Sequence, residues 1–330
     1  MVLSGSIIIT NMAENKKWTK EMVMDFLVEK SGYLKEGATR LALRLGVSGE
    51  DIEMVAEALT EARLRSKGIM PSTDRPAKIL VFDIETAPMT ASVWSAWMEP
   101  GLHMLERDHM FMLTWSAKWL FEDEIMSGKL TQKEVLAEDD SRITREIWHL
   151  LNEADIVIAH NGDKYDIKFL NMRFILNELM PPMPYASIDT LKATKKKFKF
   201  ASHKLDYINK QLGLTPKLQH EGFEMWRRCL KGDMDAMNKM EEYNIQDIEI
   251  LEELYLKIRP WIAPHPNLGM YILDDDDHCP SCQGTNLDFS EKKSYYTNSA
   301  VYEAFRCTDC KSIGKMRRSH GTCNTRPLSK

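Results

Sequence analysis

The sequence predicts an α/β fold for its middle portion, and three observations carry that expectation. Lys78-Ile79-Leu80-Val81-Phe82 and Asp155-Ile156-Val157-Ile158-Ala159 have the length, the apolar composition and the β-branched content of buried strands. From about Met234 to Lys257, apolar residues recur at helical spacing. The chain has 330 residues, more than one typical domain, and 43% of them are apolar, enough for a sizeable core. A helical portion precedes this middle region and a cysteine-bearing tail follows it.

Residues 1–75 read as a helical module ending in the turn-rich linker Pro71-Ser72-Thr73-Asp74-Arg75-Pro76. Ala38 to Ser48 followed by Asp51 to Val55 is spaced like a helix-turn-helix, with Gly46 in the turn. Glu14 to Lys67 holds ten basic and ten acidic residues, so charge does not separate a DNA reader from a partner-docking module. Both readings stand. The opening patch Ile7-Ile8-Ile9 is too short for a signal peptide or a membrane span, and Met12 offers an alternative start.

Asp83 and Glu85 fall at the end of the first apolar run, and because strand side chains alternate, the two acids point to one side. Two carboxylates on one face repel each other, and burying them requires a cation or a proton. The second run leads through the turn His160-Asn161-Gly162 into a helix carrying Tyr165 and Asp166, which puts Asp166 near a strand end as well. Tyr243 and Asp247, four residues apart, share one face of the long helix. Acids clustered without histidine suit Mg²⁺ or Mn²⁺ rather than zinc. Two such ions about 4 Å apart activate a water and stabilise the leaving oxygen of a phosphoryl displacement. A tyrosine with an ordinary pKa near about 10 suits aligning that water better than deprotonating it. Any one of these acids alone has the ordinary alternative of a turn former or helix cap. Their joint occurrence in three motifs is what favours a site. His160 reads as structural, and Asn161 as either a turn residue or a contact to a terminal nucleotide.

The order Asp83-x-Glu85, then Asn161-x3-Tyr165-Asp166, then Tyr243-x3-Asp247 resembles the DEDD, or DnaQ-like, exonuclease superfamily in its tyrosine-bearing DEDDy branch. Within it the chain is similar to the ribonuclease-H-like exonuclease domains of bacterial and bacteriophage proteins. The resemblance covers about residues 76–262. It implies a ribonuclease-H-like mixed five-stranded sheet flanked by helices, two bound Mg²⁺ or Mn²⁺, and release of nucleoside 5′-monophosphates from a 3′ end. It further implies that Asp83 bridges both metals, that Glu85 and Asp247 complete the nucleophile-side metal, and that Asp166 holds the leaving-group metal partly through water. Tyr243 would orient the attacking water.

The net charge of −5 carries no whole-chain sign of a polyanionic partner, but Leu191 to Lys231 holds eleven basic residues against three acidic ones. Lys192, Lys195, Lys196, Lys197, Lys199 and Lys204 dominate it, with Phe198 and Phe200 interleaved, a pattern suited to tracking phosphates and stacking bases. A solvated basic face is the plain alternative. Ser202-His203-Lys204-Leu205-Asp206-Tyr207 reads as a helix start beside the site.

In the tail, Cys279-x2-Cys282 and Cys307-x2-Cys310 are separated by 24 residues, a spacing that resembles a zinc ribbon. Four thiolates around one Zn²⁺ would fold a segment too small to hold a core of its own. Two disulfides are the alternative; the expected reducing cytoplasm, or host cytoplasm for a phage-encoded chain, favours zinc. Gln283 and Lys311 depart from the usual ribbon pattern. His278 and Cys323 are spare ligand types, and Cys229 reads as a packed helix residue. Nine basic residues against four acidic ones from Cys279 onward suit a nucleic-acid clamp. Asp274 to Asp277 reads as a solvated hinge.

The expected organisation is a helical module over 1–75, a nuclease domain over 76–262, an acidic linker over 263–278 and a zinc ribbon over 279–330. The expected function is metal-dependent 3′-to-5′ exonucleolysis, with DNA favoured over RNA and replication or repair proteins as partners. Two alternatives remain: a nuclease of the same fold cutting internally or at structured junctions, and a non-catalytic nucleic-acid-binding protein.

Overall fold

In the computed structural model the described residues are 18–35, 37–47, 51–66, 76–93, 103–217, 222–272, 276–297 and 300–319. The Ile7-Ile8-Ile9 patch, Met12, the linker residues 71–75, Asp274 and Asp275, and Cys323 lie outside them. The chain divides into two compact units, Met1–Arg75 and Pro76–Lys330.

The first unit is built from α1 (Lys20–Glu29), α2 (Ala38–Leu45) and α3 (Asp51–Ser66). Thr19 caps α1 by accepting from the amide of Met22. Gly46 ends α2 in the left-handed region with φ 71°, and the Val47 amide returns to the Ala42 carbonyl at 2.9 Å. That closure is what a glycine in this position permits. Val23, Leu27, Leu41, Ala42, Val55, Ala58 and Leu59 form its core.

The second unit runs β1 (Ile79–Thr86), β2 (Thr90–Val93), β3 (His103–Arg107), β4 (Met112–Trp119), β5 (Ile125–Lys129), α4 (Gln132–Ala137), α5 (Ser141–Glu153), β6 (Ile156–Ala159), α6 (Asp166–Leu176), β7 (Ala186–Asp189) and α7 (Thr190–Lys197). It continues through α8 (Leu205–Leu212), α9 (Phe223–Cys229), α10 (Met234–Ile258), β8 (Leu287–Asp288), β9 (Ser294–Tyr296), β10 (Val301–Cys307) and β11 (Ile313–Ser319). Five strands form one mixed sheet in the order β5-β4-β1-β6-β7, with β1 antiparallel to β4 and parallel to β6. This is the expected mixed α/β sheet flanked by helices. Among the described residues, no helix is long and apolar enough to cross a membrane.

The alternation along β1 decides where the acids go. Leu80, Phe82 and Ile84 enter the larger core with α5, α6 and α9, whereas Ile79 and Val81 face the other way, onto Ile248, Leu251 and Tyr255 of α10. Asp83 and Glu85 continue the Ile79–Val81 row, so the strand's period of two delivers both to the α10 side. Their cross-strand neighbours on β4 are Ser116 and Thr114, small residues that leave room above the sheet.

Residues 263–272 do not run as a free linker. Leu268, in a 3-10 turn at Leu268–Tyr271, is buried in the core with α10, and its amide donates to the Pro280 carbonyl at 2.8 Å. Asp276 and Asp277 are exposed. The tail folds as a four-stranded sheet of β8, β10 and β11, with β9 also pairing β10.

Candidate active site

Three elements converge on one cleft of about 1120 Å³. β1 brings Asp83 and Glu85, α10 brings Tyr243 and Asp247, and the turn after β6 brings Asp166 on the first residue of α6. That turn needs Gly162, because a Cβ there would lie 2.4 Å from the Cβ of Ala159. Asn161, with φ 74°, reverses the chain, and its carbonyl accepts from the amides of Lys164 and Tyr165. A carboxylate at the start of α6 also faces the helix's positive end.

Carboxylate oxygens of Asp83, Glu85 and Asp247 lie within 4.8 Å of one another. Asp166 stands outside that set, yet its charge reaches Asp83 and its carboxylate accepts from the Ile84 amide. Burial first, and then the charges of Asp166, Asp247 and Glu85, hold the Asp83 carboxyl well above its ordinary range. Burial and Asp247 push Glu85 up to about 8, and burial pushes Asp166 up to about 7. Asp247 is raised by burial although Lys217 pulls it down. These carboxylates are crowded and short of positive charge.

Lys217 is one of two residues that sequence reasoning missed. Its ammonium donates to Asp247 Oδ2 at 2.5 Å and lies 4.1 Å from the centre of the Tyr243 ring. It reaches the site from a loop position with no local pattern to mark it among the eleven basic residues of its segment. Asn244 was also unforeseen; its amide donates to Asp83 Oδ2 at 2.7 Å. A helical wheel would have found it, one residue from Tyr243 on the face that meets β1. The Tyr243 hydroxyl is pushed up to about 12 by burial and by Asp247, so it keeps its proton.

The donor set fits a hard cation. All of its atoms are carboxylate oxygens, and Asp247 Oδ1 is buried with no hydrogen-bond partner among the described residues. An orphaned carboxylate oxygen in a crowded acidic floor is what a divalent ion would satisfy.

The basic segment divides. Lys195, Lys204 and Asn161 line the cleft, together with His160, His203 and Lys210. Lys196 and Lys197 lie on α7 and Lys199 beyond it, exposed but away from the cleft lining. Lys192 pairs with Asp163 at 2.7 Å. Phe198 and Phe200, expected to stack bases, are half-buried against Ile208, Leu254 and Ile258. The His160 ring bonds Thr190 Oγ1 and the His203 carbonyl, both at 2.9 Å, which is a structural role. α8 begins at Leu205, as the Ser202–Tyr207 motif suggests.

The four tail cysteines also meet. Their sulfurs lie within 4.8 Å of one another, with Cys279–Cys310 and Cys282–Cys307 each at 3.6 Å. A tetrahedron of sulfurs around zinc, with Zn–S of about 2.3 Å, has edges of about 3.8 Å. A disulfide is about 2.05 Å, so none is formed here. The contact with Cys310 and then burial hold the Cys279 thiol above its ordinary range, burial pushes Cys282 up to about 11, and the contact with Cys279 pulls Cys310 down to about 4. The amides of Ser281, Gly284 and Ser312 donate to Cys279, Cys282 and Cys310 and act in the thiolate direction. Gln283 and Lys311, the departures from the usual pattern, take φ 66° and 65° directly after each knuckle. His278 Nδ1 is bonded to the Gln283 carbonyl at 2.6 Å, and Cys229 is buried in the main core.

Comparison with known proteins finds likeness over parts of the chain. A curated DNA polymerase III of PolC type from Ureaplasma parvum is 27% identical over 117 residues, which are 36% of this chain and 8% of that protein's length. The solved structure of a family B DNA polymerase from the archaeon Pyrobaculum calidifontis aligns over 56% of this chain and 25% of its own, at 17% identity and a TM-score of 0.42. A family model described as RNase H superfamily matches residues 80–259, more than half of the chain. That span runs from β1 to the end of α10 and holds every carboxylate of the cleft, and on that match the chain belongs to the RNase H superfamily.

Proposed function

We propose that the protein is a metal-dependent 3′-to-5′ exonuclease of the DEDDy type that releases nucleoside 5′-monophosphates, acting on DNA rather than RNA. The observation that carries this reading is the convergence of Asp83, Glu85, Asp166 and Asp247 on one cleft floor, crowded enough to raise all four pKa values, with Tyr243 beside them. Asp83, Glu85 and Asp247 would hold one Mg²⁺ or Mn²⁺, and Asp83 with Asp166, whose charge reaches it, would hold a second. Such ions, when bound, supply an activated water and neutralise charge on the displaced oxygen.

The protein's own residues do the rest. Tyr243, protonated at neutral pH, serves as a hydrogen-bonding guide for the attacking water rather than its base. Lys217 fixes the Tyr243 ring from above and restrains Asp247. Asn244 holds the orientation of Asp83. Lys195 and Lys204, on one wall, offer ammonium groups to the phosphates of a strand entering the cleft. The likeness of one segment to a protein named as a DNA polymerase supports DNA as the substrate class, with replication or repair proteins as partners. Cys279, Cys282, Cys307 and Cys310 would hold one structural Zn²⁺ in a ribbon.

The test compares the protein with its Asp83→Ala variant on 3′-labelled and 5′-labelled DNA and RNA, in Mg²⁺, Mn²⁺ or EDTA. Stepwise release of labelled mononucleotide from the 3′ end, lost in EDTA and in the variant, is expected. Equal degradation by the variant would sink the site, and cleavage of circular single strands would replace exonuclease by endonuclease action.

A further inference from the structure

One group of aromatic side chains runs from the cleft wall across a small core cluster and lies outside the catalytic floor. The rings of Phe198 and Phe200 stand 5.5 Å apart, Phe198 meets Trp261 edge-on at 5.7 Å, and Phe200 meets His203 at 6.0 Å. His203 lines the cleft. The four rings therefore make a continuous row from the cleft wall to Trp261, in the 3-10 turn that follows α10. Phe198 and Phe200 are braced from beneath by Ile208, Leu254 and Ile258, whereas Trp261 remains 59% exposed. A large ring met edge-on by Phe198 and more than half exposed among the described residues presents contact area to solvent.

Charge runs along the same row. Lys199 sits between the two phenylalanines in sequence, Lys195 lines the cleft, and Lys196 donates to the Ala263 carbonyl at 2.9 Å, two residues from Trp261. Lysines on the same segment as flat rings match a flexible polyanion that carries flat bases.

We propose that the strand leaving the cleft crosses His203 and stacks a base on Trp261, so that Trp261 is a binding residue for single-stranded nucleic acid. The direction of the strand rests on the nuclease reading; the stacking site does not. Phe198 and Phe200, which sequence patterning assigns to the bases directly, instead form the support that holds Trp261 in place.

The experiment measures fluorescence anisotropy of a labelled oligothymidylate of about 15 nucleotides on the Asp83→Asn protein, which keeps the strand uncut, across a salt series. Adding Trp261→Leu should weaken binding about tenfold, whereas Trp261→Phe should weaken it no more than about threefold, with the salt slope unchanged in both. Binding by the Trp261→Leu protein equal to its parent, or equal losses for Leu and Phe, overturns the proposal. A second reading guards against misfolding: tryptophan emission of the Asp83→Asn protein minus that of the same protein carrying Trp261→Phe should be quenched by the oligonucleotide. An unquenched difference overturns the proposal. Failure of the unsubstituted protein to cleave any strand, with Trp261-dependent binding intact, refutes the nuclease reading and leaves the stacking site standing.

Discussion

The carboxylate cluster and the thiol cluster both gather ligand atoms within 4.8 Å, and they do so by opposite constructions. Each thiol pair is set by a four-residue knuckle, so assembly requires only that two knuckles meet, and three of the four cysteines are buried. The carboxylates come from a strand, a helix start and a helix spread from Asp83 to Asp247, and they floor an open cleft. Four sulfurs around one ion leave no place for a substrate. An acidic floor open to solvent leaves positions for water and phosphate oxygens. Both clusters crowd groups that repel when ionised, but one has the closed build that suits folding a segment around an ion and the other the open build that suits chemistry.

The sharpest test of that contrast pairs Asp83→Asn with Cys279→Ser. Asp83→Asn removes a charge without removing volume, so hydrolysis should fall at least roughly a thousandfold. The melting temperature in metal-free buffer should not fall, since one of the mutually repelling acids is gone. Cys279→Ser should do the reverse, destabilising the tail by about 3 kcal/mol or more as read by hydrogen exchange over residues 276–319. The first unit should keep its protection there. A stability loss in Asp83→Asn with activity retained would make the acids a structural cluster and erase the distinction.

A smaller effect concerns the residues around the open cluster. Tyr243→Phe should slow the chemical step by about tenfold to a hundredfold and leave metal affinity unchanged. Lys217→Met should also slow it, and because one ammonium touches both Asp247 and the Tyr243 ring, the double variant should lose less than the two single losses combined. Strict additivity in a double-mutant cycle would mean that Lys217 does not act through Tyr243.

The comparison also marks what sequence can carry. The thiol cluster was legible because each half is local, and Asp83 with Glu85 because a strand's period is two. The sheet and the long helix α10 were legible for the same kind of reason, as strong periodic patterns. Lys217 was not, because its place at the site depends on how a loop after α8 returns over α10, and no periodicity encodes a loop. Phe198 and Phe200 misled for a related reason. Alternation with lysines describes an exposed strand-like surface, but hydrophobic burial on Ile208, Leu254 and Ile258 outweighed it and left the stacking position to Trp261, some sixty residues on. The linker over 263–278 misled through its acidic run, which hid Leu268, a residue that ties the tail to α10.

The smallest effect is thermodynamic, and it follows from the sign of the pKa shifts. Glu85 is raised to about 8 and Asp166 to about 7, with Asp83 and Asp247 also raised, so the folded metal-free protein holds protons that the unfolded chain releases at ordinary carboxylate pKa values. Stability from these groups is therefore fully present below about pH 4 and is lost as pH rises toward about 8. In EDTA, the melting temperature should decline from pH 5 to pH 8, and the decline should be shallower in Asp83→Asn, which has one raised acid fewer. Saturating Mn²⁺ should stabilise the protein more at pH 8 than at pH 5, because ions and protons compete for the same oxygens. A metal-free curve that rises from pH 5 to pH 8 would mean that the acids are already neutralised by fixed positive charge, with Lys217 as the first place to look.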